Sequence, residues 1–152
     1  MILFWCVSFL LAAYLGIVLW NTLSSPPANL GVVDQHLSPC PDSPNCVCSQ
    51  DQSPAHQIAP LQYSGPKNEA VQQLTEILNR QRGCRIVVQN EDYLRAEFRS
   101  LCFRFVDDVE FLVDSRQNVI HVRSASRVGY SDLGANRKRI EAIRKMFANS
   151  ND

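Results

Sequence analysis

The chain is expected to fold as an α+β domain: a single antiparallel sheet of about four to five strands flanked by two helices, preceded by an N-terminal transmembrane helix. Three observations predict this. Apolar residues recur at helical spacing after Pro66 and again near the C-terminus; the run between them alternates apolar and polar residues between short turn sequences; and the first twenty residues carry no charge. Strands joined by short turns pair antiparallel, and helices at the two ends of such a run pack on one face.

The opening MILFWCVSFLLAAYLGIVLW is interrupted only by Ser8 and Gly16. A helix of that length rises about 30 Å, the thickness of a hydrocarbon core. Trp5 and Trp20 fall near its ends, where indoles favour the membrane interface. No basic segment precedes the apolar run and no small-x-small cleavage site follows it. Residues 1–20 are therefore expected to remain as an anchor, with a removed signal peptide as the alternative. Orientation is not readable, because no Lys or Arg occurs before Lys67.

All eight prolines lie between Pro26 and Pro66. Residues 21–37 read as a linker, HQIAPLQY as a short extended piece, and no regular secondary structure is expected before Pro66. The domain is expected over residues 38–150, with a Pro/Cys-rich loop at 38–60. Cys40, Cys46 and Cys48 cluster in that loop. A disulfide between Cys40 and Cys46 would close a short loop and suit an exported domain; free thiols, or a metal or redox site, are the other readings. C-x5-C-x-C is not a zinc spacing, so no metal is assigned.

In PKNEAVQQLTEILNRQRG, Ala70, Val71, Leu74, Ile77 and Leu78 share a helical face, and Gly83 is a stop signal. CRIVVQN is a β-branched strand. YLRAEFRS places Leu94, Ala96 and Phe98 on one face and Arg95, Glu97 and Arg99 on the other. FRFVDDVEFLVD places Phe103, Phe105, Val109, Phe111 and Val113 on one face with Asp107, opposite Arg104, Asp108 and Glu110. SRQN is a hairpin turn and VIHVRSAS the last strand. The final helix is expected to begin near Ser131 or Asp132, with Ser131 as its N-cap, and to bury Leu133, Ile140, Ile143 and Phe147; Asn136 lies on the same stripe. Cys84 and Cys102 read as small buried hydrophobes on strands.

The formal net charge is zero, and the +3 excess of residues 67–152 is interspersed. No nucleic-acid partner is expected. Nucleophile-elbow, zincin, phosphate-loop and dinucleotide fingerprints are absent, so no cofactor is assigned.

Two constellations remain. In FVDDVEF, Asp107, Asp108 and Glu110 could pair with arginines, hold a hard metal, or act as acid and base. In HVRSASRVGYSDLGANRKRIE, the strand carries Arg123, ends near Arg127 and leads past Gly129 and Ser131 into a helix start. That arrangement suits an anion site or an internal ion-pair lock. An inward Asn136 must find partners, from strand-end arginines or a backbone carbonyl. The basic run Arg137–Arg139 reads as a solvated helix face, with lipid head groups as the other reading.

Together, PCPDSPNCV, FVDDVEF and HVRSASRVGYSDLGANRKRIE resemble the domain-of-unknown-function family numbered 1499, found in bacteria and photosynthetic plastids. The resemblance covers roughly residues 38–148. Its matching positions are Cys40, Pro44, Asn45, Cys46, Asp107, Asp108, Glu110, Arg123, Ser124, Ser126, Arg127, Ser131, Asp132, Asn136, Arg137 and Glu141. It implies no activity. It does imply an exported or membrane-linked domain, periplasmic or in the thylakoid lumen. CVC departs from the usual pattern, which makes Cys48 an extra thiol able to exchange with the Cys40–Cys46 pair.

The functional expectation is a membrane-anchored binding or interaction module for a small polar or anionic ligand or a protein partner. Its candidate residues are Arg123, Ser124, Ser126, Arg127, Ser131, Asn136, Asp107, Asp108 and Glu110. The alternative is an enzyme using the carboxylates as acid and base on an arginine-bound substrate.

Overall fold

The computed structural model describes residues 1–149; residue 150, where the domain is expected to end, lies outside them. The apolar opening forms α1 (Ile2–Thr22), long and apolar enough to cross a membrane and exposed along almost its whole length. Four short strands follow: β1 (Val32–Val33), β2 (His36–Leu37), β3 (Cys46–Cys48) and β4 (Leu61–Gln62). Then come α2 (Lys67–Asn79), β5 (Cys84–Gln89), β6 (Tyr93–Arg99), β7 (Val106–Asp114), β8 (Val119–Ser126) and α3 (Ala135–Asn149).

The main sheet has six strands rather than four to five. Its order is β3-β8-β7-β6-β5, with β4 also pairing β8, and every pairing is antiparallel. A second sheet consists of β1 and β2. The extra strands come from the proline-bearing stretch, which was expected to stay irregular. Its prolines all fall outside Cys46–Cys48 and Leu61–Gln62. Each piece therefore keeps the amide that its ladder needs.

Both long helices cover one face. Leu74, Leu78, Ile140, Ile143 and Phe147 pack on Leu94, Ala96, Phe98, Val109, Phe111, Ile120 and Val122. The opposite face is covered by residues 24–40, so β7 is buried on both sides for eight of its nine residues. There Leu37, Cys48 and Leu112 form a second, smaller cluster with Val32, Cys40 and Tyr93 around it. Cys40 and Cys46 are joined by a disulfide, which ties this covering segment to the edge strand β3.

Three side-chain expectations fail. Phe103 and Phe105 are not core residues: β7 begins only at Val106, and both rings sit in the β6–β7 connection, where Arg104 adopts φ 58°. Cys102, in the same connection, is exposed rather than buried. Leu133 is 87% exposed. The reason is that α3 starts at Ala135, not at Ser131 or Asp132. Leu133 and Gly134 have φ 54° and 77°, incompatible with a helical turn. Asp132, not Ser131, holds the helix start. Its carboxylate accepts from the amides of Gly134 at 2.9 Å and Asn136 at 2.7 Å, while Ser131 Oγ reaches only the Leu133 amide at 3.3 Å.

Gly83, between α2 and β5, has φ 77°, and a β-carbon there would sit 2.5 Å from the Arg99 carbonyl oxygen. The Gly83 carbonyl accepts from the Arg99 amide at 2.9 Å, so the backbones cannot part cheaply. Gly83→Ala is expected to cost about 1–2 kcal/mol from the left-handed conformation alone, and more from the clash. Urea denaturation of the full chain would show a lower midpoint; an unchanged midpoint would contradict this account.

Candidate functional site

Alternation along β7 and β8 divides the expected site residues between the two faces of the sheet. Asp108, Glu110, Arg123 and Arg127 meet under residues 24–40. Asp107, Ser124, Ser126 and Asn136 meet on the helix side. The residues do not converge on one cleft.

Beneath residues 24–40 the polar groups answer each other. Glu97 and Asp108 lie directly opposite on β6 and β7. Arg127, just past β8, bridges them. Its Nε donates to Asp108 Oδ2 at 2.7 Å, and its Nη2 donates to Asp108 Oδ1 at 2.8 Å and Glu97 Oε1 at 2.6 Å. The remaining terminal nitrogen donates to the Ser24 carbonyl at 2.9 Å. Arg95 adds a contact to Asp108 at 3.5 Å, and Arg85 and Arg99 each reach Glu97 at 3.2 Å. The Arg127 and Asp108 side chains are 3% and 1% exposed, which leaves neither for a solvent-borne ligand. Burial pushes the Glu97 carboxyl up, but hydrogen bonds from Arg127 and Arg99 outweigh it and hold the group at about 2. The hydrogen bonds it donates to Asp108 and Glu97 raise Arg127 above its ordinary value, against the opposing effect of burial.

One step along the strands, Glu110 is fully buried. It accepts from Tyr93 Oη at 2.8 Å, the Gly31 amide at 2.7 Å and Arg123 Nη1 at 3.1 Å. Burial, with the Glu110 carboxylate beside it, pushes the Tyr93 phenol up and keeps it a donor. Arg123 is the less complete partner. Its Nε is the buried side-chain polar atom without a partner among the described residues. Arg123 lines a cleft of about 340 Å³ with Pro27, Asn29, Pro39, Cys40 and Arg127.

The helix side differs. Asn136 is 1% exposed and fully engaged. Its amide nitrogen donates to the Asn45 carbonyl, Ser126 Oγ and Asp132 Oδ2. Its carbonyl accepts from Ser124 Oγ at 2.5 Å and Arg139 Nη1 at 2.7 Å. A backbone carbonyl and Arg139 thus satisfy it, rather than Arg123 or Arg127. Arg139 also donates to Asp107 Oδ2 at 2.5 Å and lies over the Phe98 ring at 4.7 Å. Asp107, Ser126, Ser131, Asp132 and Arg139 line a cleft of about 500 Å³, walled by Phe98, Phe105, Val128 and Leu133.

Sequence reasoning missed three participants. Glu97 was placed on the correct strand face but not recognised as the second carboxylate under Arg127. Tyr93 begins the same strand, and its phenol reaches Glu110 on β7. Arg139 was read as part of a solvated run. Its position three residues after Asn136 puts both on one helix face, which was the available signal. Arg137, in the same run, donates to the carbonyls of Ala55 and Gln57 and fastens the proline-bearing loop. Among the described residues, no group of three or more His, Cys, Asp or Glu could hold a metal ion.

The fold and these contacts define a class: an antiparallel α+β domain behind a long apolar helix, with an acid–arginine network on one sheet face and a cleft beside α3 on the other. The chain belongs to the family described as Protein of unknown function (DUF1499), whose model matches residues 36–147. No curated protein and no solved structure matches it.

The Glu97 geometry makes acid stability testable. Its folded-state value lies below the ordinary 4.5. The stability it contributes is therefore complete above about pH 4.5 and is lost as pH falls towards 2. Glu97→Gln should flatten the acid limb of a pH–melting-temperature profile in that window; an acid limb identical to that of the natural chain would contradict the assignment.

Proposed function

We propose that this protein is a membrane-anchored, extracytoplasmic binding domain that holds a ligand with a polar or anionic end in the helix-side cleft. One observation carries the reading. Arg127 and Asp108 are 3% and 1% exposed, whereas Arg139 and Asp107 are 18% and 12% exposed and line a cleft of about 500 Å³, large enough for a small molecule. Arg139, with Arg82 on the same lining, offers positive charge to such an end, and Ser126 and Ser131 offer hydroxyls. The apolar walls suit the remainder of the ligand.

The anchor reading is supported by the length and composition of α1. Placement outside the cytoplasm is supported by the Cys40–Cys46 disulfide, a bond that persists in oxidising compartments. Burial pushes the Cys48 thiol up, which disfavours the thiolate that exchange would need. The alternative of acid–base catalysis loses Asp108 and Glu110, which are buried and committed to arginines; Asp107 alone of the three lines the helix-side cleft.

Calorimetric titration of the full chain in detergent micelles tests the reading, with inorganic phosphate, succinate and glycerol 3-phosphate as probes. At least one should bind, and Arg139→Gln should abolish the heat while Arg123→Gln preserves it. Thermal melts would confirm that each variant is folded. Binding that survives in folded Arg139→Gln, or the absence of any binding, would overturn it.

A further inference from the structure

The β6–β7 connection, residues 100–105, reads SLCFRF and holds three outward apolar side chains. Leu101, Phe103 and Phe105 are 61%, 43% and 40% exposed, an unusual density for a loop in water. Leu133 and Phe105 both line the helix-side cleft, so the apolar surface continues around its mouth. The opposite end of the sheet is polar. Its turns are Asn90-Glu91-Asp92 and Ser115-Arg116-Gln117-Asn118.

The connection lies against α1. Tyr14 Oη donates to the Cys102 carbonyl at 2.8 Å, and Asn21 Nδ2 donates to the Phe103 carbonyl at 2.8 Å. The Tyr14 and Phe103 rings meet edge to face at 5.8 Å. These contacts explain why a helix so apolar carries an asparagine that is only 2% exposed. Within the connection, the Phe105 amide donates to Ser100 Oγ and the Ser100 amide to the Phe105 carbonyl, both at 2.9 Å. Irregular backbone enters hydrocarbon only when its polar groups are satisfied by protein. Here α1 and Ser100 satisfy four of them.

We propose that residues 100–105 dip into the bilayer beside α1, with Leu101, Phe103 and Phe105 in lipid and the cleft mouth at head-group level. The inference rests on the anchor reading of α1. Tyr14 lies eight residues from Thr22, so Cys102 reaches up to about 12 Å inward from the helix end. That is within one leaflet. Arg104, in the same connection, can extend its guanidinium to phosphates while its stem stays in the apolar layer. A ligand entering the cleft from this side would be an amphiphile carried by the membrane.

The chain supplies its own probe site, because Cys102 is a free, exposed thiol in the connection. The test uses the full chain carrying Cys6→Ala and Cys84→Ala, labelled at Cys102 with an environment-sensitive fluorophore. It is reconstituted in phosphatidylcholine–phosphatidylglycerol vesicles with or without lipids spin-labelled on the acyl chain. A second preparation moves the label to the polar end through Cys102→Ala and Gln117→Cys. Trp5 and Trp20, the chain's two tryptophans, report insertion of α1 in the same samples. Expected are quenching of the tryptophans, a blue shift and loss of most emission for the Cys102 label, and no quenching at position 117. Quenched tryptophans with an aqueous, unquenched Cys102 label would overturn the proposal and leave the anchor standing. If the tryptophans also escape quenching, the anchor reading falls and the proposal with it.

Discussion

The contact on which the rest of the structure depends is the bridge from Arg127 to Glu97 and Asp108. Two carboxylates facing each other on neighbouring strands repel, and burial multiplies the cost. The pairing of β6 with β7 in this register is tenable only because a guanidinium from the end of β8 answers both. The same arginine donates to the Ser24 carbonyl and so fixes the point at which the chain leaves α1 and turns over the sheet. A slip of one residue along β7 would carry Asp108 to the apolar helix face, so the network also specifies register.

That arrangement determines where a ligand can be held. The Arg127 side of the sheet is covered by residues 24–40, pinned through Glu110 to the Gly31 amide and through the Cys40–Cys46 disulfide to β3. There Arg127, Glu97 and Asp108 are spent on one another. On the helix side, Asp132 terminates the loop, Asn136 joins α3 to β8 and to Asn45, and Arg139 reaches back to Asp107. The left-handed residues before α3 displace Leu133 outward and leave the cleft open. Both the cleft and the apolar β6–β7 connection lie at the end of the sheet nearest α1.

Much of this was legible in the sequence, and the misses have physical reasons. Alternation in YLRAEFRS assigned faces correctly, because a period of two survives in isolation. In FRFVDDVEF it placed Asp107 to Phe111 correctly but failed at Phe103 to Phe105, where the positive φ at Arg104 breaks the period before the strand begins. Helical spacing found Ile140, Ile143 and Phe147 but also claimed Leu133, since spacing cannot report where a helix starts. Proline density hid β3 and β4, although no proline lies inside either strand. The paired chemistry of Arg127 was readable as residue types; its choice of Glu97 required the register. The exposure of Phe103 depends on its contact with α1, eighty-nine residues from Tyr14 along the chain, and no local pattern carries that.

A double-mutant cycle between Arg127 and Asp108 tests the central claim most directly, with the full chain unfolded by denaturant in detergent. Removing one partner of a buried pair leaves the other charge uncompensated, at a cost of about 3–5 kcal/mol. Arg127→Ala and Asp108→Asn should each destabilise strongly, and the double variant should lose far less than the two losses added together. Losses that simply add, or an Arg127→Ala protein as stable as the natural chain, would show that Arg127 is not the keystone of this fold.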